Sequence, residues 1–504
     1  MTSASVGRPS ASRPRSAPTG RRASNIPSRS VLLGAGVIIL VLAALVIGQA
    51  LRTYSVTLDR FQRIAENSTA KVDAVEAALQ NVADMDSNAA IFVATAADNP
   101  NHWTSQQQIH DSFQAFRDQM FIVQARLDNP DQASDPETAA YRQIQYFSFD
   151  QFWQHLGNLL TAQQNADNAT AVSQYIIADN YLQNQIARYL LVLEALNYSK
   201  MQDTKNGAAA AINVQVLLLG LMALALAALL TALSFWLRGR VRRVFTPGID
   251  IALVLGWLLL ILMLAELLQT PRLLNDMVDN AYYNVSATAR TLAVAKLANS
   301  AQSGSVIDPT QATFWQNSFD ADMRSVALRL CGQPGCLAQP FTNGGANDPI
   351  NSSALTLAAS ISPADESSID NVTPLVANVK YDGAAAALEQ ARQALNQYIT
   401  LNGQLRTLIK AGSMDDAARL ATGSTPGLTC DNLTGSSAKL SGDVFRQFTC
   451  ALTLESTINR AVFDNTWNTE KVNLPRDQVL FGFGGYVLLI VAVALGVYHR
   501  SREL

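Results

Sequence analysis

The chain has 504 residues, 49% hydrophobic and only 15% charged, with 27 glycines and 17 prolines, which excludes both a disordered polymer and a collagen-like repeat. Its net charge of −3 hides a segregation. Residues 1–30 hold six arginines and no acid, leaving −9 for the rest, a distribution typical of membrane proteins. With four cysteines and four histidines in no C-x2-C or H-E-x-x-H pattern, a zinc site or metalloprotease is argued against, and the long apolar stretches exclude a soluble cytosolic enzyme.

Residues 1–30, rich in Pro, Ser and Arg, read as a disordered basic cytoplasmic arm. Such an arm binds anionic lipid at about 1 kcal/mol per basic residue, or serves only to fix topology. Within it Arg21-Arg22-Ala23-Ser24 makes Ser24 a candidate phosphosite, where phosphate would cancel local positive charge.

A bilayer core of about 30 Å needs about 20 apolar helical residues, and four stretches qualify: 31–51, 214–237, 251–269 and 478–498. The first is too long an apolar run for a cleaved signal peptide and reads as an uncleaved anchor. Positive charge places the arm, the loop 238–250 with Arg238, Arg240, Arg242 and Arg243, and the tail 499–504 on the cytoplasmic side. Segments 52–213 and 270–477 are then expected outside a bacterial plasma membrane.

In 52–213 apolar residues recur at helical spacing (Val72, Val75, Leu79, Val82, then Ile109, Phe113, Phe116, Met120), with breaks at Asp98-Asn99-Pro100, at 128–136 and at 165–168. This predicts four antiparallel helices in a membrane-attached bundle. Continuing the seam from Leu79 and Val82 puts Asp86 at a core position within Asp84-Met85-Asp86-Ser87-Asn88. Asp84, Asp86 and Asn88 are therefore candidate sensing residues, or else a structural polar layer with Arg117, Arg126, Arg142 or Arg188 as partner. Glu266, the one acid inside a span, is a candidate intramembrane site or a snorkelling interfacial side chain.

Segment 270–477 repeats the plan: a helix leaving the third span, another near 314–330, a less regular insertion, a helix at 384–410, a short one after Gly412, and a last from 441 toward Pro475. All four cysteines fall here, as exported disulfides would. Of three connectivities, Cys331 with Cys336 and Cys430 with Cys450 is favoured. The fold class is thus an all-α membrane protein with four transmembrane helices and two extracytoplasmic helical-bundle domains. No nucleophile elbow, P-loop, Rossmann fingerprint or kinase signature is present, so no enzyme activity, cofactor, metal or nucleic-acid partner is expected.

Several stretches carry a resemblance: residues 82–90 (Val-Ala-Asp-Met-Asp-Ser-Asn-Ala-Ala), the basic turn 238–247, residues 411–423 (Ala-Gly-Ser-Met-Asp-Asp-Ala-Ala-Arg-Leu-Ala-Thr-Gly), Phe445-Arg-Gln-Phe448 and 458–464. With the order span, bundle, span, basic loop, span, bundle, span, the chain resembles the four-span, GlnX-like membrane sensors of actinobacteria and relatives. Their type member sits between a substrate-binding lipoprotein for aspartate and glutamate and a soluble Ser/Thr protein kinase. The bundles are also similar to chemoreceptor ectodomains, whereas the 331–380 insertion has no counterpart. The resemblance implies a non-enzymatic relay. Its expected partners are an extracytoplasmic substrate-binding protein or small ligand, and a cytoplasmic Ser/Thr kinase or other effector docking on Arg238, Arg240, Arg242 and Arg243. Anionic lipids at the arm, and a second copy of the chain, are further expected partners. The alternatives are an envelope scaffold or an accessory transporter subunit.

Overall fold

The computed structural model describes residues 28–95, 100–132, 134–241, 247–332, 374–423, 425, 429–430 and 440–503. Among them there is no strand. The helices are α1 (Ser28–Gln62), α2 (Thr69–Ala94), α3 (Pro100–Ala125), α4 (Pro136–Arg142), α5 (Phe149–Gln164), α6 (Asn168–Tyr181) and α7 (Ala187–Val241). They continue as α8 (Pro247–Asn275), α9 (Tyr283–Ile307), α10 (Ala312–Cys331), α11 (Ala384–Lys410), α12 (Met414–Thr422), α13 (Ser441–Asp477) and α14 (Tyr486–Glu503). Short π-helical turns join α1 to α2, α4 to α5, α6 to α7, α8 to α9 and α13 to α14.

Local chemistry sets the ends. Asp135 accepts a hydrogen bond from the Thr138 amide at 3.1 Å with Pro136 next to it, so α4 starts there. Asp167 caps α6 in the same way through the Thr170 amide. Helix α10 stops at Gly332, whose φ of +80° only glycine adopts without strain.

The chain forms two compact units. Of the described residues, the first gathers those up to Gly48, those within Gly220–Ile261 and those from Phe481 onward. Among the described residues four helices are long and apolar enough to cross a membrane, each overlapping one of the expected spans. In this unit Ile38, Val41, Leu45, Leu221, Val254 and Leu495 are exposed, an outward apolar surface of the kind that suits lipid. This is an all-α membrane protein. Two of its helices, α8 and α14, meet at glycine: a Cβ on Gly248 would lie 2.6 Å from the Gly496 Cα, so only hydrogen allows this approach.

The second unit comprises Gln49–Leu219 and Leu262–Leu480. The sequence predicts one bundle from each of its two segments; the structure instead shows a single core to which both contribute, including Val75, Phe116, Phe152 and Leu190 from one and Leu292, Phe319, Tyr398 and Phe448 from the other. At its centre is α9, buried over nearly all of 284–306. Its Ala, Ser, Thr and Asn residues face neighbours all round, so it shows no apolar stripe.

Hydrogen bonds define the directions of those neighbours. Asp84 with Lys296, and Ser87 with Asn299, are each 212 residues apart, so α2 and α9 run parallel and in register. Asn284 with Asn459, Thr288 with Glu455, and Gln302 with Ser441 run in opposite order, so α13 is antiparallel to α9. Likewise α7 runs antiparallel, through Lys205 with Asp279 and Glu194 with Arg290. Helical periodicity identifies which face of a helix is buried but not against which partner, and this is why two bundles were expected where the segments interlock.

Candidate functional site

The turn 84–88 of α2 has two working faces. Successive helix positions are about 100° apart, so Asp84, Ser87 and Asn88 share one side with Gln80 and Ile91, while Met85 and Asp86 point into the core. The first side lines a cleft of about 540 Å³, within the range of small-molecule sites. Its other walls are α3 (Ser105, Gln108, Asp111), α9 (Lys296, Asn299), the end of α12 (Thr422) and the start of α13 (Gly442, Phe445, Arg446, Thr449).

Polar side chains organise this cleft. Lys296 donates to Asp84 Oδ2 at 2.7 Å, and Asn88 donates to the Asp84 carbonyl at 2.8 Å. Behind them Asn299 donates to Ser87 Oγ at 2.7 Å and accepts from Tyr398 at 2.9 Å. Acids and bases balance, with Asp84 and Asp111 against Lys296 and Arg446, and amides and hydroxyls fill the intervening wall. Such a surface can hydrogen-bond a small polar molecule. Among the described residues no three His, Cys, Asp or Glu side chains are arranged to hold a metal ion. The histidines of α3 and α5 are occupied otherwise: His102 donates to the Thr95 carbonyl at 3.1 Å and stacks on Phe92, while His155 bonds Gln174 at 2.8 Å.

Asp86 is buried, as its seam position predicts, and three of the four arginines expected as possible partners have other contacts. Arg117 instead lies over the Phe113 ring, while Arg126 and Arg142 donate to the carbonyls of Glu66 and Pro130. Asp86 meets the Ser300 hydroxyl and the carboxyl of Asp179 on α6. Ser300 also bonds Tyr175 at 2.7 Å, and Gln183 donates to Asp179 Oδ1 at 2.7 Å. Burial pushes the Asp86 carboxyl up to about 6, and burial together with the Asp86 charge pushes Asp179 well above the carboxylate range.

A second buried polar layer lies lower on α9. Glu455 accepts from Thr288 and from Asn459, and Asn459 in turn accepts from Asn284 at 3.2 Å. Burial pushes Glu455 up to about 7.

The remaining expected residues lie apart from the cleft. Glu266 of α8 accepts from Tyr54 at 3.4 Å and stands beside Asp477, so its side chain meets α1 and α13. Arg238 and Arg240 belong to the last turns of α7, while Arg242, Arg243, Ser24 and the arm around it lie outside the described residues. Cys430 and Cys450 form a disulfide. Cys331 is also disulfide-bonded, while Cys336 and most of the 331–380 insertion lie outside the described residues.

Asp179, Lys296, Asn299 and Ser300 were not singled out by the sequence. For Asp179 a signal existed, since it stands four residues after Tyr175 and three before Leu182 in the same helical seam, as Asp86 stands after Val82. No protein-family model, curated protein or solved structure matches the chain.

Proposed function

We propose that the protein is a non-enzymatic transmembrane sensor. Its second unit lies outside the plasma membrane, and the occupancy of a small polar ligand or a solute-binding protein there is passed to a separate cytoplasmic effector such as a Ser/Thr kinase. One observation carries this reading: the cleft walls α2, α9 and α13 belong to three of the four helical runs that include the membrane-length apolar segments. A ligand that binds two arrangements of those walls unequally shifts the balance between them, and continuous helices provide the mechanical link. Balanced charge and abundant amide and hydroxyl groups suit a compact polar ligand rather than an apolar one. The segregated arginines of the arm and of 238–243 support the orientation and the docking role.

The test is co-purification of the detergent-solubilised full chain with an exported solute-binding protein and a cytoplasmic Ser/Thr kinase, with and without added amino acids. Capture of both partners, changing with ligand, is expected. Capture of neither under any condition removes the relay reading and leaves an envelope scaffold.

A further inference from the structure

Behind the cleft wall, Asp86 of α2 and Asp179 of α6 are 1% and 4% exposed and face each other. Asp86 Oδ2 is buried and has no donor within reach. Two carboxylates side by side in a core cannot both remain charged without a large penalty, whereas a carboxylic acid beside a carboxylate supplies the missing donor.

The surrounding elements are specific about what else acts on the pair. Helix α6 adds Tyr175 and the following turn adds Gln183; α9 adds Ser300, bonded to Tyr175. Helix α10 adds a third acid, Asp322, whose charge opposes ionisation of Asp179. On α2 the neighbouring acid Asp84 points the other way and is held by Lys296. Further along, Glu76, Glu194 and Arg290 act on one another as a separate cluster.

We propose that Asp86 and Asp179 share one proton, and that its loss as the pH rises loosens α2 from α6 and with it the cleft wall formed by Asp84, Ser87 and Asn88. The balance is one proton: an acid–carboxylate pair becomes two carboxylates and a proton leaves to solvent. Charge repulsion then replaces the hydrogen bond. The device is therefore a pH-dependent setting of the α2–α6 packing, and it stands on the fold independently of any relay function.

The experiment uses the full chain in lipid nanodiscs, with the wild type, Asp86→Asn and Asp179→Asn compared at about pH 6 and about pH 8.5. Infrared difference spectra count protonated carboxyl groups, and hydrogen exchange reads the peptides spanning 80–94 and 172–186. In the wild type a carboxylic acid band of the pair is lost on raising the pH, in addition to that of Glu455, which the wild type and both variants share, and exchange, corrected for its intrinsic pH dependence, speeds up by about tenfold in both peptides, equivalent to one unit of linked pKa. Either Asn variant removes that band and flattens the exchange profile. Equal infrared changes in wild type and both variants overturn the shared proton. A lost band with unchanged wild-type exchange overturns the loosening. Because the wild type alone shows both signals, a variant that fails to fold does not protect the proposal.

Discussion

Asn299 and Ser87, 212 positions apart in the chain, are joined by a 2.7 Å hydrogen bond in which the amide of α9 donates to the hydroxyl of α2. The same amide accepts from Tyr398, so one buried side chain ties α2, α9 and α11 together. Asn299→Ala takes one partner away from each of two hydroxyls, those of Ser87 and Tyr398, which costs about 2–4 kcal/mol. Tyr398→Phe leaves the bond between Asn299 and Ser87 in place and costs about 1 kcal/mol. Denaturant titration of the solubilised protein should give this order; equal losses would mean that the amide is not the shared node.

Gly304 lies where α9 and α10 come closest. A Cβ there would sit 2.6 Å from the ring of Trp315, which is 1% exposed and has nowhere to move. Alanine in a helix normally gains about 0.5–1 kcal/mol over glycine, but overpacking a core costs about 1–3 kcal/mol, so the steric term wins. Gly304→Ala is expected to lower the thermal midpoint, and Gly304→Val to lower it further. A rise with alanine would place the helices further apart than described.

Glu455 gives stability a pH dependence of defined sign. Its carboxyl is raised from the ordinary 4.5 to about 7, so the folded protein holds a proton that the unfolded chain releases. Its contribution is full at acidic pH and is lost as the pH rises through about 7, by at most about 3 kcal/mol. Glu455→Gln keeps a polar partner for Thr288 and removes the penalty, so the variant should be the more stable one at alkaline pH and lose its advantage near pH 4.5. Unfolding curves across that range check the crossing.

The disulfide between Cys430 and Cys450 joins the connection after α12 to the body of α13, across 20 residues. Closing a loop of this length restricts the unfolded chain by about 3 kcal/mol. Replacing both cysteines with serine should lower stability by that order and speed proteolysis between Gly423 and Ser441. An unchanged cleavage rate would show that the connection is held by other contacts.

Much of this was legible beforehand. The apolar runs mark the membrane-length helices by length alone, because nothing but a bilayer or a large core requires 20 apolar residues in a row. Asp86 reads as buried because the Leu79–Val82 seam passes through it, and α11 and α12 follow from Gly383 and Gly412, which take positive φ before each helix begins. What could not be read is pairing across the chain. Lys296 and Asn299 gain their meaning only from the parallel register of α2 and α9, and no local pattern encodes a 212-residue offset. One clue was present in α9 itself. Its run of small and polar residues without an amphipathic stripe fits a helix enclosed on every side, and such a helix needs more neighbours than its own segment provides.

The interlocking of the two segments also constrains the order of synthesis. When the ribosome has delivered residues up to Val241, Asp84 and Ser87 are already made but Lys296 and Asn299 are not, and the first segment has only part of a core to close upon. A gene cut after the codon for Val241 would therefore yield two fragments that are each degraded when made alone and rescue one another when made together.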